Sequence, residues 1–393
     1  MEFLQLVETL RSFEASPQRL FGTEGLRLGR RDPDPQYLTR LREAAEFIAD
    51  VYEGRRHAIF LREAMTTSDF PLLFGDILDR QLLGKYAETP STIDNYITMR
   101  TVRDFRQAKL FTVDGAESTL SPVGQREEYP MEALSEGQYV YSVSKYGRVI
   151  PFSWETMIND DLDALKDIPE RLGRAARRSE EKFGTGLFVT STGPDSTFFS
   201  NTNKNLVNIA NGASTDNPAL TIDALQQAFI VLSKQVDVDG EPIVIEMVEL
   251  VVPPALEVVA ENILNATELW LNTNGGLSDQ QLHVANWMRR RTRLAVNWYL
   301  PIINTTSGNT AWFLFASTGS TRPALIMAKL RGHETPEMFM KSPNALRIGG
   351  GGEINPMDGD FDTDSLEYKL RHVYGGTQVD PKMAVASKGT GAV

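Results

Sequence analysis

The sequence predicts an α+β protein built from a protruding two-stranded β-ribbon, a long helix and a mixed unit of strands and helices. Two runs of β-forming residues, 102–113 and 138–151, flank a polar segment that has turn residues at both ends. Paired, these runs would make a ribbon about 35 Å long at about 3.3 Å per residue. Because an isolated two-stranded ribbon is at best marginally stable in water, we expect it to lie on another copy of the chain.

Helical patterns precede the ribbon. Apolar residues recur at helical spacing over 37–52. A second helix is predicted after Thr67, where Ser68 or Asp69 can cap the N-terminus. The apolar stripe of this helix is Leu72, Ile77, Leu78, Leu82 and Leu83. Residues 1–65 are interpreted either as an arm that reaches over neighbouring molecules or as an ordinary helical cap.

A long helix is predicted after the ribbon, from about residue 162 to 189. Residues 159–161 are Asn-Asp-Asp, which can cap its N-terminus, and its apolar residues follow a 3.6-residue period. Pro169 predicts that the helix begins or bends there. The arginines of this segment lie largely on its other face: Arg171, Arg174, Arg177 and Arg178. They form either a solvated face with local ion pairs or contacts to neighbouring molecules or nucleic acid.

The second half of the chain alternates helices and strands. Thr221 can cap a helix, with Leu220 and Leu225 as a hydrophobic staple. The buried stripe of this helix is predicted to continue through Leu225, Phe229 and Leu232. A helix at 255–266 is predicted to bury Leu256, Val259, Ala260 and Ile263. Strands are predicted at 248–252, 294–297, 311–316, 324–330 and 366–373.

Composition excludes several classes of function. The chain has 393 residues and no cysteine, which excludes disulfides, thiol catalysis and Cys-based zinc sites. Its four histidines are scattered, so we predict no metal and no cofactor. A net charge of −12 argues against nucleic-acid binding by the chain as a whole. The most apolar stretch, 243–259, contains three glutamates and two prolines, so we predict no membrane partner.

Several motifs that suggest chemistry fail on inspection. Residues 358–364 resemble a calcium loop, but Thr363 and Lys369 stand where an EF-hand needs glycine and glutamate. This segment is therefore an acidic surface turn or a weak cation site. A metalloprotease-like stretch at 333–337 lacks the second histidine and contains Pro336. The sequence predicts no catalytic residue and a protein that is not an enzyme; a carboxylate-dependent hydrolase on an α/β scaffold is the alternative from another class.

Four segments carry a family resemblance: Thr66–Pro71, Tyr146–Asp161, Leu250–Glu257 and Asp362–Arg371. Their order and spacing resemble the major capsid proteins of tailed bacteriophages with the Hong Kong 97-type fold. Within that group the chain looks closest to the Mu-like prophage head-subunit branch. The resemblance covers about residues 66–385.

The resemblance implies five regions. They are an N-terminal arm with helices at 1–98, an extended β-hairpin loop at 99–152, a peripheral domain with a spine helix at 153–218, an axial domain at 219–345, and a return strand with a C-terminal tail at 346–393. It also implies candidate intersubunit contacts on the loop and the spine helix. These candidates are Phe105, Phe111, Tyr129, Tyr139, Tyr141, Arg148, Arg174, Arg177 and Arg178.

The implied function is a major capsid protein that self-assembles into pentamers and hexamers of an icosahedral shell around double-stranded DNA. Its implied partners are other copies of itself, portal and scaffolding proteins, decoration proteins, and packaged DNA that it contacts non-specifically. It would assemble in the bacterial host cytoplasm and reside in the virion. An encapsulin, the shell protein of a bacterial compartment that holds a cargo enzyme, is the alternative with the same fold.

Two expectations concern covalent changes. Members of this fold that cross-link chemically use a lysine near the ribbon tip, whereas residues 114–137 contain none. We therefore expect a shell without isopeptide bonds. Some members also remove an N-terminal scaffolding segment; because this sequence starts at Met1, we expect no such cleavage.

Overall fold

The computed structural model describes residues 35–52, 55–56, 60, 64, 70–114, 123, 125, 128–129, 135–153, 162–272, 281–320, 322–341 and 362–391. Their helices are α1 (Pro35–Tyr52), α2 (Phe70–Glu88), α3 (Leu162–Gly186), α4 (Ile222–Ser233), α5 (Glu257–Asn265), α6 (Met288–Arg291) and α7 (Leu300–Ile303). Their strands are β1 (Thr98–Val102), β2 (Ala108–Asp114), β3 (Ser135–Tyr141), β4 (Val143–Ser153), β5 (Val189–Thr190), β6 (Gly193–Pro194), β7 (Val248–Val252), β8 (Glu268–Asn272), β9 (Gln281–Ala285), β10 (Thr292–Val296), β11 (Trp312–Ala316), β12 (Leu325–Leu330), β13 (Glu337–Met340), β14 (Ser365–Gln378) and β15 (Ala384–Ser387). The fold is mixed α+β, as the sequence predicts.

These residues divide into two compact units, each assembled from separate stretches of the chain. Unit 1 takes the described residues within Met1–Pro90, Ser144–Ser179 and Leu330–Tyr374. Unit 2 takes those within Ser91–Val143, Glu180–Lys329 and Gly375–Val393.

Unit 1 has one hydrophobic core, formed by helices and the β14 strand. Buried side chains of this core include Leu41 and Ile48 of α1, Leu172 of α3, and Leu366 and Leu370 of β14. The predicted apolar stripe of α2 is confirmed at Ile77, Leu78, Leu82 and Leu83. The proposed caps Ser68 and Asp69 and the side chain of Leu72 lie outside the part of the chain that the structure describes.

The sheet of unit 1 forms around β14, which pairs with β13 and β4. Antiparallel pairing with β13 runs from Glu337 opposite Arg371 to Met340 opposite Tyr368. The buried carboxylate of Glu337 accepts from Nε of Arg371 at 3.0 Å, so these opposite charges on neighbouring strands are paired. β4 comes very close to β14: a Cβ on Gly147 would lie 2.5 Å from the carbonyl oxygen of Leu370. Glycine at this position therefore permits the approach.

The long helix α3 agrees with the sequence-based prediction except at its end. It runs from Leu162 to Gly186 with Pro169 inside it, and the predicted capping residues 159–161 lie outside the described residues. The prediction extended the helix to Val189, which instead belongs to β5. The helix stops earlier because the chain turns tightly: the backbone N–H groups of Leu187 and Phe188 donate to carbonyls only three residues back. This turn buries the Phe188 ring.

Unit 2 contains a four-stranded sheet in the order β10-β7-β11-β15. β10 runs parallel to β7, whereas β11 is antiparallel to both β7 and β15. All five residues of β7 are buried, as expected for a central strand. On one face the rings of Phe313 and Phe315 pack edge-to-face against Phe188, each with centroids 5.0 Å away. These contacts make an aromatic core for unit 2.

A buried polar network accompanies this aromatic core. The Asn297 amide donates to the hydroxyl oxygens of Tyr96 at 2.9 Å and Thr185 at 2.8 Å. Glu181 accepts from the backbone N–H and the hydroxyl of Thr92, both at 2.8 Å. Burial, with a smaller contribution from Glu181, raises the pKa of Tyr96, so its hydroxyl stays protonated.

The predicted cap and buried stripe of α4 are confirmed, and two burial predictions for α5 are wrong. The Thr221 hydroxyl accepts from the backbone N–H of Ala224 at 3.1 Å, which is the predicted cap. The predicted stripe of α4 is buried at Leu225, Phe229 and Leu232. Val259 was predicted to be buried but is 40% exposed. Leu256 was also predicted to be buried, but it is only half-buried and precedes the first residue of α5. This nine-residue helix buries only a narrow face made by Ala260, Ile263 and Leu264.

Candidate assembly surfaces

A β-hairpin formed by β2 and β3 is the first candidate surface. The strands pair antiparallel over seven residues each, from Ala108 opposite Tyr141 to Asp114 opposite Ser135. Seven residues correspond to about 23 Å of strand. Among the described residues, the two strands pack extensively only on each other. Among the described residues, the hairpin therefore packs mainly on itself.

The hairpin is shorter than the ribbon that the sequence predicts. The run 102–113 is interrupted because the Asp104 carboxylate accepts from the backbone N–H of Arg106 and bends the chain between β1 and β2. The second run breaks at Ser142, and β4 pairs with β14 instead. The prediction that 138–151 pairs throughout with 102–113 is thus wrong. A continuous run of β-forming residues in the sequence can thus form two strands that pair with different strands of the fold.

The described part of the hairpin has two different faces. Exposed side chains form the outer face: Lys109, Phe111, Gln138 and Val140. Half-buried side chains form the opposite face: Ala108, Leu110, Tyr139 and Tyr141. Phe111 is 63% exposed, a large apolar side chain in water. The candidate residues Phe111 and Tyr139 therefore point in opposite directions, so a single flat partner cannot cover both.

Two further aromatic candidates lie away from these strands. Phe105 occupies the bend before β2 and is 49% exposed. Tyr129 is 82% exposed. Both side chains are accessible in the single chain.

The four arginine candidates belong to unit 1. Arg148 lies exposed on β4, and Arg178 is exposed on α3. Arg174 lies 3.5 Å from Glu170, one turn earlier. Arg177 stacks 4.7 Å above the Tyr86 ring and donates to the Thr89 carbonyl at 3.4 Å. Arg177 is thus committed to contacts within its own chain, whereas Arg148 and Arg178 present their charge to solvent.

A groove in unit 2 is a surface that the sequence analysis missed. It has a volume of about 600 Å³, and its walls include Phe229, Ile230, Val244, Trp287 and Arg291. Val244 is 80% exposed even though it belongs to one of the most apolar stretches of the sequence. Exposure of apolar residues depends on what the fold places beside them, so no pattern in the sequence signals this groove.

Among the described residues no helix is both long enough and apolar enough to cross a membrane. The same part of the chain contains no group of three or more acidic, histidine or cysteine side chains arranged to hold a metal ion. Most of the acidic segment 358–364, the weak cation candidate, lies outside it.

The family model described as "Phage capsid protein" matches residues 137–387. The chain belongs to this family. The match runs from β3 to the last residue of β15, so it includes the hairpin's second strand, the long helix and the four-stranded sheet. It confirms the resemblance to phage capsid proteins inferred from the sequence, while the narrower Mu-like branch stays a prediction.

Solved phage structures resemble this capsid protein at low identity. The asymmetric unit of the mature capsid of bacteriophage PhiM1 is 12% identical, with 76% of this chain and 86% of that chain covered and a TM-score of 0.43. A structure from Mycobacterium phage Adephagia is 10% identical, with 76% and 90% covered and a TM-score of 0.44. The capsid of cyanophage P-SCSP1u is 14% identical, with 74% and 85% covered and a TM-score of 0.41. A comparison with curated proteins finds no match.

Proposed function

We propose that this capsid protein is the major head subunit of a tailed phage with the Hong Kong 97-type fold. Its copies form pentamers and hexamers of an icosahedral shell around double-stranded DNA, and it has no catalytic activity. The observation that carries the proposal is the hairpin, which presents an exposed Phe111 and has no other element packed extensively on it among the described residues. Exposed large apolar side chains on such a hairpin favour burial against another molecule.

The five regions implied by the family resemblance belong to the same proposal. The hairpin acts as the extended loop on an adjacent subunit, α3 as the spine helix, and 219–345 as the axial domain. Exposed arginines such as Arg148 and Arg178 contact neighbouring subunits or packaged DNA. Portal, scaffolding and decoration proteins are further partners, and assembly takes place in the host cytoplasm before the shell becomes part of the virion.

The proposal predicts closed shells. Purified full-length protein is expected to scatter light as particles of many subunits and to show icosahedral outlines by electron microscopy. Denaturing electrophoresis of those particles is expected to give one band at the subunit mass, because the ribbon tip lacks lysine. A ladder of covalent multimers would refute only the prediction that the subunits are not cross-linked, and the shell function would stand. A monomer or small oligomer whose activity disappears on a single Asp or Glu substitution would instead support the hydrolase alternative.

Phe111→Asp is expected to prevent shell formation while leaving the subunit folded. The side chain is 63% exposed, so the free energy of unfolding should change by no more than about 0.5 kcal/mol. A charge at this position cannot be buried against a neighbour without a large desolvation cost. Light scattering reports assembly, and urea unfolding of the unassembled subunit reports stability.

Val238→Asp serves as the matched control for that experiment. Val238 is 62% exposed and lies in the turn between α4 and β7, outside the hairpin strands. Its variant should assemble like the wild type. If Phe111→Asp assembles equally well, the hairpin is not an intersubunit contact.

A further inference from the structure

One face of α3 carries a row of basic side chains. The row consists of Arg171, Arg174, Arg178 and Lys182. Because successive residues of an α-helix are about 100° apart, these four positions fall within an arc of about 80°. The Arg171 guanidinium lies 3.3 Å from the Asp167 carboxylate, and that of Arg174 lies 3.5 Å from Glu170. Acids of the same helix therefore offset the first two charges of the row.

The last two charges of the row have no such acid. Arg178 and Lys182 are exposed, and neither makes an ion pair with any described residue. They are four residues apart, which separates them by about 6 Å along the helix axis. We call these two residues the basic pair. Their charges are available to another molecule.

The two glutamates between them in the sequence point into the protein instead. Glu180 is completely buried, and its carboxylate lies 2.7 Å from Nζ of Lys329. Glu181 is 6% exposed, and its carboxylate accepts from the backbone N–H and the hydroxyl of Thr92. In the sequence these acids cancel the charge of the basic pair. In the fold they are removed from the surface, so the exposed face of this part of α3 is positive.

The composition of this face favours a polyanion over a neighbouring subunit. None of the exposed large apolar side chains of the described residues lies on α3. The cores of protein–protein interfaces are enriched in aromatic residues and depleted of lysine, unlike this face. Arginine and lysine are, by contrast, typical contacts of phosphate groups in nucleic-acid complexes. A phosphate backbone is negative along its whole length, so it is attracted to a face that exposes bases and buries its acids.

We infer that the basic pair contacts the phosphate backbone of the double-stranded DNA enclosed by the shell. This inference rests on the proposed function, which supplies the enclosed DNA, and it decides between the two partners considered for Arg178. It assigns this face of α3 to the inner surface of the shell. The contact is local, because the chain as a whole has a net charge of −12. It is also independent of DNA sequence, because phosphates carry no sequence information.

The salt dependence of DNA binding tests the inference. Unassembled subunits are mixed with a fluorescent DNA duplex at low ionic strength, and the Kd is followed as salt is added. The double variant Arg178→Gln/Lys182→Gln is expected to bind about tenfold more weakly than the wild type. The slope of log Kd against log salt should fall by about 2, because each lost phosphate contact lowers it by about 1. Two duplexes of unrelated sequence should give the same result.

Lys204→Gln/Lys234→Gln is the matched control. Both lysines are exposed, lie outside α3 and make no ion pair with any described residue. Their replacement removes the same two positive charges from the chain, yet this variant should bind DNA like the wild type. Urea unfolding shows whether both double variants are folded, which is expected because glutamine has nearly the helix propensity of arginine and lysine.

Four outcomes would overturn the inference while leaving the shell function intact. Wild-type subunits do not bind the duplex, or the basic-pair variant binds it as tightly as the wild type. The control loses as much affinity as the basic-pair variant, so that net charge governs binding. The basic-pair variant binds DNA normally but no longer forms shells, which would make this face an intersubunit contact. Wild-type protein that never forms shells would instead refute the proposed function itself.

Discussion

Glu180→Ala is expected to lower the free energy of unfolding by about 3–5 kcal/mol, because it removes one partner of an ion pair in the protein interior. Glu180 is completely buried, and its carboxylate lies 2.7 Å from Nζ of Lys329, whose side chain is 16% exposed. Both residues belong to unit 2, on α3 and β12. Lys329→Ala is expected to cost a similar amount. Urea unfolding of the unassembled subunit measures both.

A double variant separates the ion pair from simple loss of packing. With both partners replaced by methionine, neither charge of this pair remains in the interior, so the cost should fall well below that of either single change. The exposed pair Asp167–Arg171, at 3.3 Å on α3, provides the control and should contribute less than about 1 kcal/mol. A loss below about 1 kcal/mol for Glu180→Ala would contradict the prediction.

Glu249 is expected to make the stability of unit 2 depend on pH. This residue lies on the central strand β7, its side chain is 2% exposed, and its nearest cation is Arg293 at 3.9 Å. Burial raises the pKa of Glu249 to about 7, and Arg293 offsets only part of that effect. The folded state therefore holds a proton that the unfolded chain releases near its usual pKa of 4.5.

The sign of the dependence follows from that difference. The contribution of Glu249 to stability is fully present below pH 4.5 and is lost as the pH rises through 7, by an amount on the order of 3 kcal/mol. Glu249→Gln mimics the protonated carboxyl and should be more stable than the wild type by about 3 kcal/mol at pH 8, but by less than about 1 kcal/mol at pH 5. Urea unfolding across pH 5–8 measures this gain.

The exposed Glu246 supplies the control for this experiment. Glu246→Gln should leave the pH dependence of the wild type unchanged. If Glu249→Gln unfolds with the same pH profile as the wild type, then Glu249 is ionised in the folded state and the assignment is wrong.

The sequence predicted the local structure of helices and strands better than it predicted which strands pair with each other. The cap at Thr221 and the buried stripe of α2 follow from residue type and spacing alone, and both are confirmed. The pairing of β4 with β14 joins segments more than 200 residues apart, and no local pattern specifies it. β15 was not predicted because Ala384–Ser387 is short and rich in small residues.

The assembly surfaces were predictable only in part. The hairpin was predicted because a turn-rich segment between two β runs is a local signal. Its two faces follow from the alternation of side chains only once the register is known. The groove depends on Phe229, Val244 and Trp287, which come from three separate segments. Only folding brings these residues together, so the sequence could not have marked them.

The position of β15 has a consequence for synthesis of the protein. Residues 384–387 complete the sheet of unit 2 by pairing with β11, where Trp312 lies opposite Ser387. A ribosome must translate through all preceding residues before this edge can be covered. A nascent chain that terminates early leaves the backbone of β11 unpaired and becomes a substrate for proteases and chaperones. The edge of β11 is therefore covered only after residues 384–387 have been synthesised.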